Sequence, residues 1–268
     1  MLFGAHVPNG DPIAEARARG ADAAQFFLSN PQGWRKPTPR DDAATLRAST
    51  LPLYVHAPYL VNVASPNNRI RIPSRRILQE TCDAAAQIAA TAVIVHGGHT
   101  DDTAAPEEGI RNWQKAMRVI DTDVPIYIEN TAGGTNALAR EFAGLGQLWE
   151  ALDGLSVGFC LDTCHAHAAG EELHDAVERL QSLIGRIDLV HVNDSKDPRG
   201  SGRDRHERLG RGTIGADVLT EVVRAAGAPA IIETPGDASS HADDLKWLRR
   251  RVDGAADDNR SLDYLPRL

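Results

Sequence analysis

Eight short apolar runs recur along the chain, at residues 2–6, 23–28, 53–56, 92–96, 125–129, 157–162, 188–191 and 230–233. They are rich in β-branched residues and lack strict alternation, which suits strands buried on both faces of a parallel sheet. Between them lie amphipathic stretches with helical spacing, among them 74–91, 107–121, 136–152, 172–184 and 214–226. Ser74 is the expected N-cap of the first of these, and Gly227 the expected stop of the last. Eight strand–helix units predict a single-domain α/β fold, a (β/α)8 TIM barrel, more readily than a doubly wound sheet. The 268 residues are close to the roughly 250 that one such barrel needs.

The pattern changes character where the runs end. Tyr54-Val55-His56, Ile94-Val95-His96, Tyr127-Ile128-Glu129, Cys160-Leu161-Asp162, Leu189-Val190-His191 and Ile231-Ile232-Glu233 each pass from apolar residues into one His, Asp or Glu. A single such residue is an ordinary loop residue. Six together are expected to converge, because the C-terminal strand ends of a barrel form one mouth. Clustered carboxylates repel and are costly to bury unless cations offset them. Mixed imidazole and carboxylate donors fit zinc, with manganese or iron as alternatives.

Two short motifs extend the set. Asp162-Thr163-Cys164-His165 places His165 one turn beyond Asp162, and Asp204-Arg205-His206 puts two donors on one side of an extended segment. Nine candidate donors exceed the roughly four that one zinc takes. Three ions with one shared carboxylate account for them all. Metal pairs about 3.5–4 Å apart activate water and clamp phosphoryl oxygens, which suits phosphodiester hydrolysis. Cys160 is expected to face the barrel interior. His6, His99 and His167 are expected to support or pack beside the cluster, and His174 and His241 receive no role.

Composition adds less. The three cysteines are an odd number, no apolar run approaches a membrane span, and no signal peptide precedes Met1, so the expectation is a reduced cytoplasmic protein. A formal charge of -8 argues at first sight against nucleic acid. Three divalent ions would reduce it to about -2, so net charge decides little. Residues 1–252 read as the catalytic domain and residues 253–268 as a polar tail, frayed or docked through Tyr264 and Leu265. The loop 195–213 is rich in Gly and Arg, and can fold over the mouth.

The chain resembles the endonuclease IV family of abasic-site DNA endonucleases. The resemblance runs from Gly4-Ala5-His6-Val7 to Glu233-Thr234. It is carried by His56-Ala57-Pro58-Tyr59-Leu60-Val61-Asn62, Val95-His96-Gly97-Gly98, Ile128-Glu129-Asn130-Thr131-Ala132-Gly133, Cys160-Leu161-Asp162-Thr163-Cys164-His165, His191-Val192-Asn193-Asp194-Ser195 and Asp204-Arg205-His206. It implies three zinc ions: one on His56, His96 and Glu129; a second on Glu129, Asp162, His191 and Glu233; a third on His165, Asp204 and His206. Glu129 is then the bridge that positions the attacking hydroxide.

The implied reaction is hydrolysis of the phosphodiester 5′ to an abasic site in duplex DNA, leaving a 3′-hydroxyl and a 5′-deoxyribose phosphate, with 3′-phosphodiesterase activity beside it. The resemblance also implies a flipped abasic nucleotide, with Tyr59 and Leu60 as the inserting loop and Asn30, Gln32 and Trp34 on a second DNA-contacting loop. Gln32 stands where the family often has an inserting arginine. Arg205, in the Arg-rich loop, is the expected phosphate contact. A monomer, associated with the nucleoid when acting, is the expected form. A metal-dependent sugar isomerase or epimerase on a related barrel is the alternative; it would use Glu129, Asp162, His191 and Glu233 and leave His165, Asp204 and His206 idle. A non-catalytic lesion binder would be expected to lack ligands, and none is missing.

Overall fold

The computed structural model describes residues 1–102, 104–134 and 136–254. Eight parallel strands close into a barrel: β1 (Phe3–His6), β2 (Ala24–Phe27), β3 (Leu53–His56), β4 (Ala92–His96), β5 (Ile126–Glu129), β6 (Val157–Asp162), β7 (Leu189–His191) and β10 (Ala230–Ile232). A two-stranded antiparallel hairpin, β8 (Asp194–Ser195) with β9 (His206–Glu207), sits over one end. Helices α1 (Pro12–Arg19), α2 (Ala43–Ala48), α3 (Asn68–Gln87), α4 (Pro106–Met117), α5 (Phe142–Ala151), α7 (Ala176–Ile184), α8 (Ala216–Ala226) and α9 (Ala238–Asp253) alternate with the strands. The short α6 (Thr163–Ala169) follows β6 directly. The TIM barrel expected from the pattern is the fold, and each expected strand is present to within a residue or two.

Strand residues alternate between two environments. Ala24, Phe26, Val55, Val93, Val95, Ile128, Phe159, Leu161, Val190 and Ile232 belong to the large core between barrel and helices. Their neighbours Ala23, Tyr54, Ala92, Ile94, Cys160, Leu189 and Ile231, with Tyr127, form a separate apolar cluster that fills the barrel. Cys160 therefore faces inward, as expected. Two residues beyond that cluster, seven of the strands lead to a polar side chain, Gln25, His56, His96, Glu129, Asp162, His191 and Glu233, and His6 ends β1 beside them. Register sets them side by side, His6 against Gln25, His96 against Glu129 and Asp162 against His191.

One helix start differs from the expectation. Helix α3 begins at Asn68, not after Ser74, and Pro73 lies inside it. An internal proline removes a helical N–H and normally marks a boundary. Here the extra turn is held by Asn67, whose side chain accepts from Arg69 N–H, and by Arg71, whose guanidinium donates to the carbonyls of Ser65 and Pro66. The Ser74 hydroxyl instead accepts from Asn62 N–H at 2.9 Å, tying the helix to the loop after β3. The expected stop holds: Gly227 closes α8 in the left-handed conformation at φ 63°. Helix α9 extends to Asp253 and is capped by Gly254. The remainder of the expected polar tail, with Tyr264 and Leu265, lies outside the described residues. No described helix is long and apolar enough to cross a membrane.

Candidate metal centre

The nine predicted donors meet at the C-terminal end of the barrel. Glu129 is fully buried at their middle. Its Oε2 lies 3.1 Å from His56 Nε2 and 3.3 Å from His96 Nε2, and its Oε1 lies 3.0 Å from His191 Nδ1. Two donor sets share it: His56, His96 and Glu129, and Glu129, Asp162, His191 and Glu233. These coincide with the first two sets that the family resemblance implies. At the rim, His165 Nε2 and His206 Nε2 approach the two oxygens of Asp204 at 3.2 and 3.1 Å. Asp162 joins His165 and His206 in one further set, and Cys164 joins Asp204 and His206 in another. Cys164 was not among the expected ligands. Burial pushes its thiol up to about 12, so it stays protonated while no cation is near.

Local structure explains the placement. Asp162 ends β6 and caps α6, its Oδ1 accepting from His165 N–H at 2.7 Å. That bond holds His165 one helical turn beyond Asp162, over the same mouth. The hairpin brings Asp204 and His206 across from the opposite side. Its loop is pinned by Gly200 and Gly202, whose N–H groups donate to the carbonyls of His167 and Ala168. A Cβ on Gly133 would run into the Gly202 carbonyl, so the loop after β5 must have glycine there for the hairpin to lie down.

Each of four histidines turns one ring nitrogen outward to a backbone or side-chain acceptor. His56 Nδ1–H donates to the Ala57 carbonyl (2.7 Å), His165 Nδ1–H to the Asn130 carbonyl (2.9 Å), and His206 Nδ1–H to the Glu233 carbonyl (3.2 Å). His191 Nε2–H donates to Gln25 Oε1 at 2.7 Å. The other nitrogen of each ring therefore presents a lone pair to the centre, as metal ligands do. Two of these, His165 Nε2 and His206 Nε2, are buried and have no hydrogen-bond partner among the described residues. Lone pairs facing carboxylates are repulsive unless a positive charge lies between them. The donor set thus fits divalent cations.

Without cations, protons meet the same need. Burial alone would raise the Glu129 carboxyl, but the imidazoles of His191 and His96 and hydrogen bonds from His165 and His191 hold it well below the usual range. Burial opposes charge on His206, yet Asp162, Asp204 and Glu233 push it up to about 9. Against burial, His165 is driven well above the ordinary imidazole value by Asp162, Asp204 and Glu129, and His191 by Cys160, Glu233 and Glu129. Asp162 is the exception: burial dominates and raises it.

Beside the cluster opens a cleft of about 440 Å³, lined by Trp34, Tyr59, Leu60, Asn62, His96, His165 and Asp204 among others. Tyr59 is 52% exposed and stacks on His96 with ring centroids 5.8 Å apart. Tyr59 N–H donates to the Pro31 carbonyl, so the two expected DNA-facing loops are joined. Trp34 is on the cleft wall and 42% exposed rather than packed beneath its loop. Asn30 and Gln32 are exposed and do not line the cleft; Asn30 Oδ1 accepts from Gln32 N–H and shapes the turn. Arg205 forks onto Asp197 at 2.5 and 2.6 Å, bracing the hairpin loop.

Several supporting residues were not singled out by sequence reading. Asn193 donates to Asp162 Oδ2 at 2.7 Å and accepts from Glu233 N–H at 2.8 Å. Asn130 clasps the backbone of Asp162 through both ends of its carboxamide. Gln25, in the otherwise apolar Ala23-Ala24-Gln25-Phe26-Phe27, is fully buried. A lone carboxamide inside such a run was the available signal. His6, expected to support the cluster, lies 3.2 Å from Glu233 Oε1.

Comparison with known proteins agrees with this geometry. Residues 13–251 match the family model of the xylose isomerase-like TIM barrel. The Mycobacterium tuberculosis protein named "Probable endonuclease 4" is 58% identical over 252 residues, covering 94% of this chain and 99% of that one. Its Mycobacterium leprae counterpart is 55% identical over 254 residues, covering 95% and 100%. The crystal structure of endonuclease IV from Thermus thermophilus superposes with a TM-score of 0.82 at 30% identity, covering 95% of this chain and 100% of that one. A D-tagatose 3-epimerase-like protein superposes at 0.77 with 18% identity over 94% and 97%, and shows the fold alone. With its nine predicted donors gathered at one barrel mouth, and with relatives of this identity along nearly its whole length, the chain belongs to the endonuclease IV family.

Proposed function

We propose that this protein is a zinc-dependent endonuclease that hydrolyses the phosphodiester 5′ to an abasic site in duplex DNA, leaving a 3′-hydroxyl and a 5′-deoxyribose phosphate. It also removes 3′ blocking phosphodiesters, acts as a monomer, and takes three zinc ions. The reading rests on one observation above the others: Glu129 belongs to two donor sets at once, so a single buried carboxylate can bridge two cations. His56 and His96 complete the first site, and Asp162, His191 and Glu233 the second. His165, Asp204 and His206 hold the third. When bound, the ions supply Lewis-acid charge that lowers the pKa of water and offsets the charge building on the phosphate.

The chain's own residues do the rest. Glu129 sets the separation of the paired sites. The hairpin carries Asp204 and His206 over the mouth, where the departing oxygen must be met. Tyr59, Leu60 and Trp34 wall the cleft with apolar surface that receives an extruded sugar and excludes water. Extrusion is cheapest where no base pair is lost, so the abasic position is favoured. Asn30, Gln32 and Arg205 contact the flanking backbone. Against a sugar epimerase, the arrangement of His165, Asp204 and His206 over the mouth would have no use.

The test is incision of a labelled duplex carrying one abasic-site analogue, before and after metal is stripped with a chelator and zinc restored. Incision should vanish and return, and the new 3′ end should prime a polymerase. An uncut duplex in zinc-replete protein that epimerises a sugar would exclude the reading.

A further inference from the structure

Two of the eight polar strand-end positions, His6 and Gln25, lie in none of the donor sets. Gln25 lies behind two residues that do. Burying a carboxamide is costly unless both ends are bonded, and here both are. Gln25 Nε2 donates to Glu233 Oε1 at 2.6 Å and lies 3.0 Å from His6 Nδ1; Gln25 Oε1 accepts from His191 Nε2–H at 2.7 Å.

We infer that Gln25 is a positioning residue that selects the ligating nitrogen of His191 and the ligating oxygen of Glu233 together. By accepting from Nε2–H, it leaves Nδ1 as the free ring nitrogen, 3.0 Å from Glu129 Oε1 and 3.4 Å from Glu233 Oε2. By donating to Oε1 of Glu233, it leaves Oε2 to face the same point. One group must accept on one side and donate on the other. A carboxylate can only accept, and a thioether can do neither well. Were the amide reversed, its NH2 would face the ring and drive the proton to Nδ1, closing the ligand position. The inference rests on the proposed metal centre and adds a residue to it. Gln25 does not touch the reacting atoms; it acts through His191 and Glu233.

The test uses full-length protein stripped of metal, with cobalt(II) and zinc as probes. Titration against a chromophoric chelator reads each ion's affinity. In Gln25→Met, which keeps the size of the side chain, the ion held by His191 and Glu233 should bind roughly 10- to 100-fold more weakly, the range found when outer partners of metal ligands are lost. The ion at His165, Asp204 and His206 should change by less than about 3-fold. A second readout is proton NMR of the cobalt-loaded protein, where the exchangeable His191 Nε2–H is shifted clear of other signals. Its exchange with solvent should be at least about 10-fold faster in Gln25→Met, and close to wild type in Gln25→Glu, which keeps the acceptor.

Wild-type affinities in Gln25→Met overturn the inference. So does rapid exchange of that proton in Gln25→Glu, which decides the question even where Gln25→Met fails to fold. If wild-type protein takes up neither metal, the metal centre itself fails and the inference falls with it.

Discussion

The barrel interior holds two adjacent layers built on the same strands. The lower one is Ala23, Tyr54, Ala92, Ile94, Tyr127, Cys160, Leu189 and Ile231, apolar and closed. The upper one, two residues further along seven of the strands and joined by His6 of β1, is wholly polar: His6, Gln25, His56, His96, Glu129, Asp162, His191 and Glu233. Backbone geometry is continuous between them, so the difference lies only in side-chain chemistry. The lower layer satisfies itself by packing. In the upper layer and the His165 and His206 side chains above it, the carboxylates call for added protons or cations, and the imidazoles of His165, His191 and His206 are raised accordingly. A barrel can thus keep stability in one layer and reactivity in the next, and substitutions in the two should have separable effects.

Glu129→Gln should give the largest effect. Removing the shared negative charge should lower incision by about 1,000-fold or more, while affinity for an abasic duplex changes by less than about 3-fold, because DNA affinity comes mostly from phosphate contacts. Near wild-type incision would remove Glu129 from the bridging position. One layer down, Ile94→Ala should behave in the opposite way. It should cost about 2–5 kcal/mol of stability in a denaturant titration, as other buried large-to-small changes do, while incision per folded molecule stays within about 3-fold. A fall in incision as large as that of Glu129→Gln would mean the layers are not separable.

Smaller effects are expected above the centre. Tyr59→Ala should reduce discrimination between abasic and intact duplex by about 10-fold, the scale of one lost aromatic stacking contact. Unchanged discrimination would take Tyr59 out of the wedge. The smallest effect is in pH. In metal-free protein His206 holds its proton up to about 9, above its ordinary 6.5. A raised folded value means that its stabilising contribution is complete below about 6.5 and is lost as pH rises through about 9. The melting temperature of metal-free protein should therefore fall across that window by a few degrees, and that of the zinc-loaded protein should not, since its imidazoles carry no proton to lose. Parallel melting curves for the two forms would argue against His206 as a ligand.

Much of this was legible in the chain. Period-two alternation was not visible in the strands, because both faces are buried, yet the change from apolar to polar at six strand ends marked the mouth. Helix α3 was less legible, since Pro73 is ordinarily a stop and only the hydrogen bonds of Arg71 to the Ser65 and Pro66 carbonyls show how the turn before it is held. At the site, the nine donors could be named in advance because a metal ligand must be one of few residue types. Gln25, Asn130 and Asn193 could not, because a carboxamide in a strand has many uses and its partners lie far away in sequence.

The sequence by itself determined which residues can carry the chemistry, because side-chain type and strand-end position are local properties. Only the tertiary structure decided the finer arrangement: which nitrogen His56, His165, His191 and His206 each offer, and that Cys164 comes within reach of Asp204 and His206. Those facts depend on distances of a few ångströms between segments tens to hundreds of residues apart. Barrel closure sets these distances, and no local pattern records them.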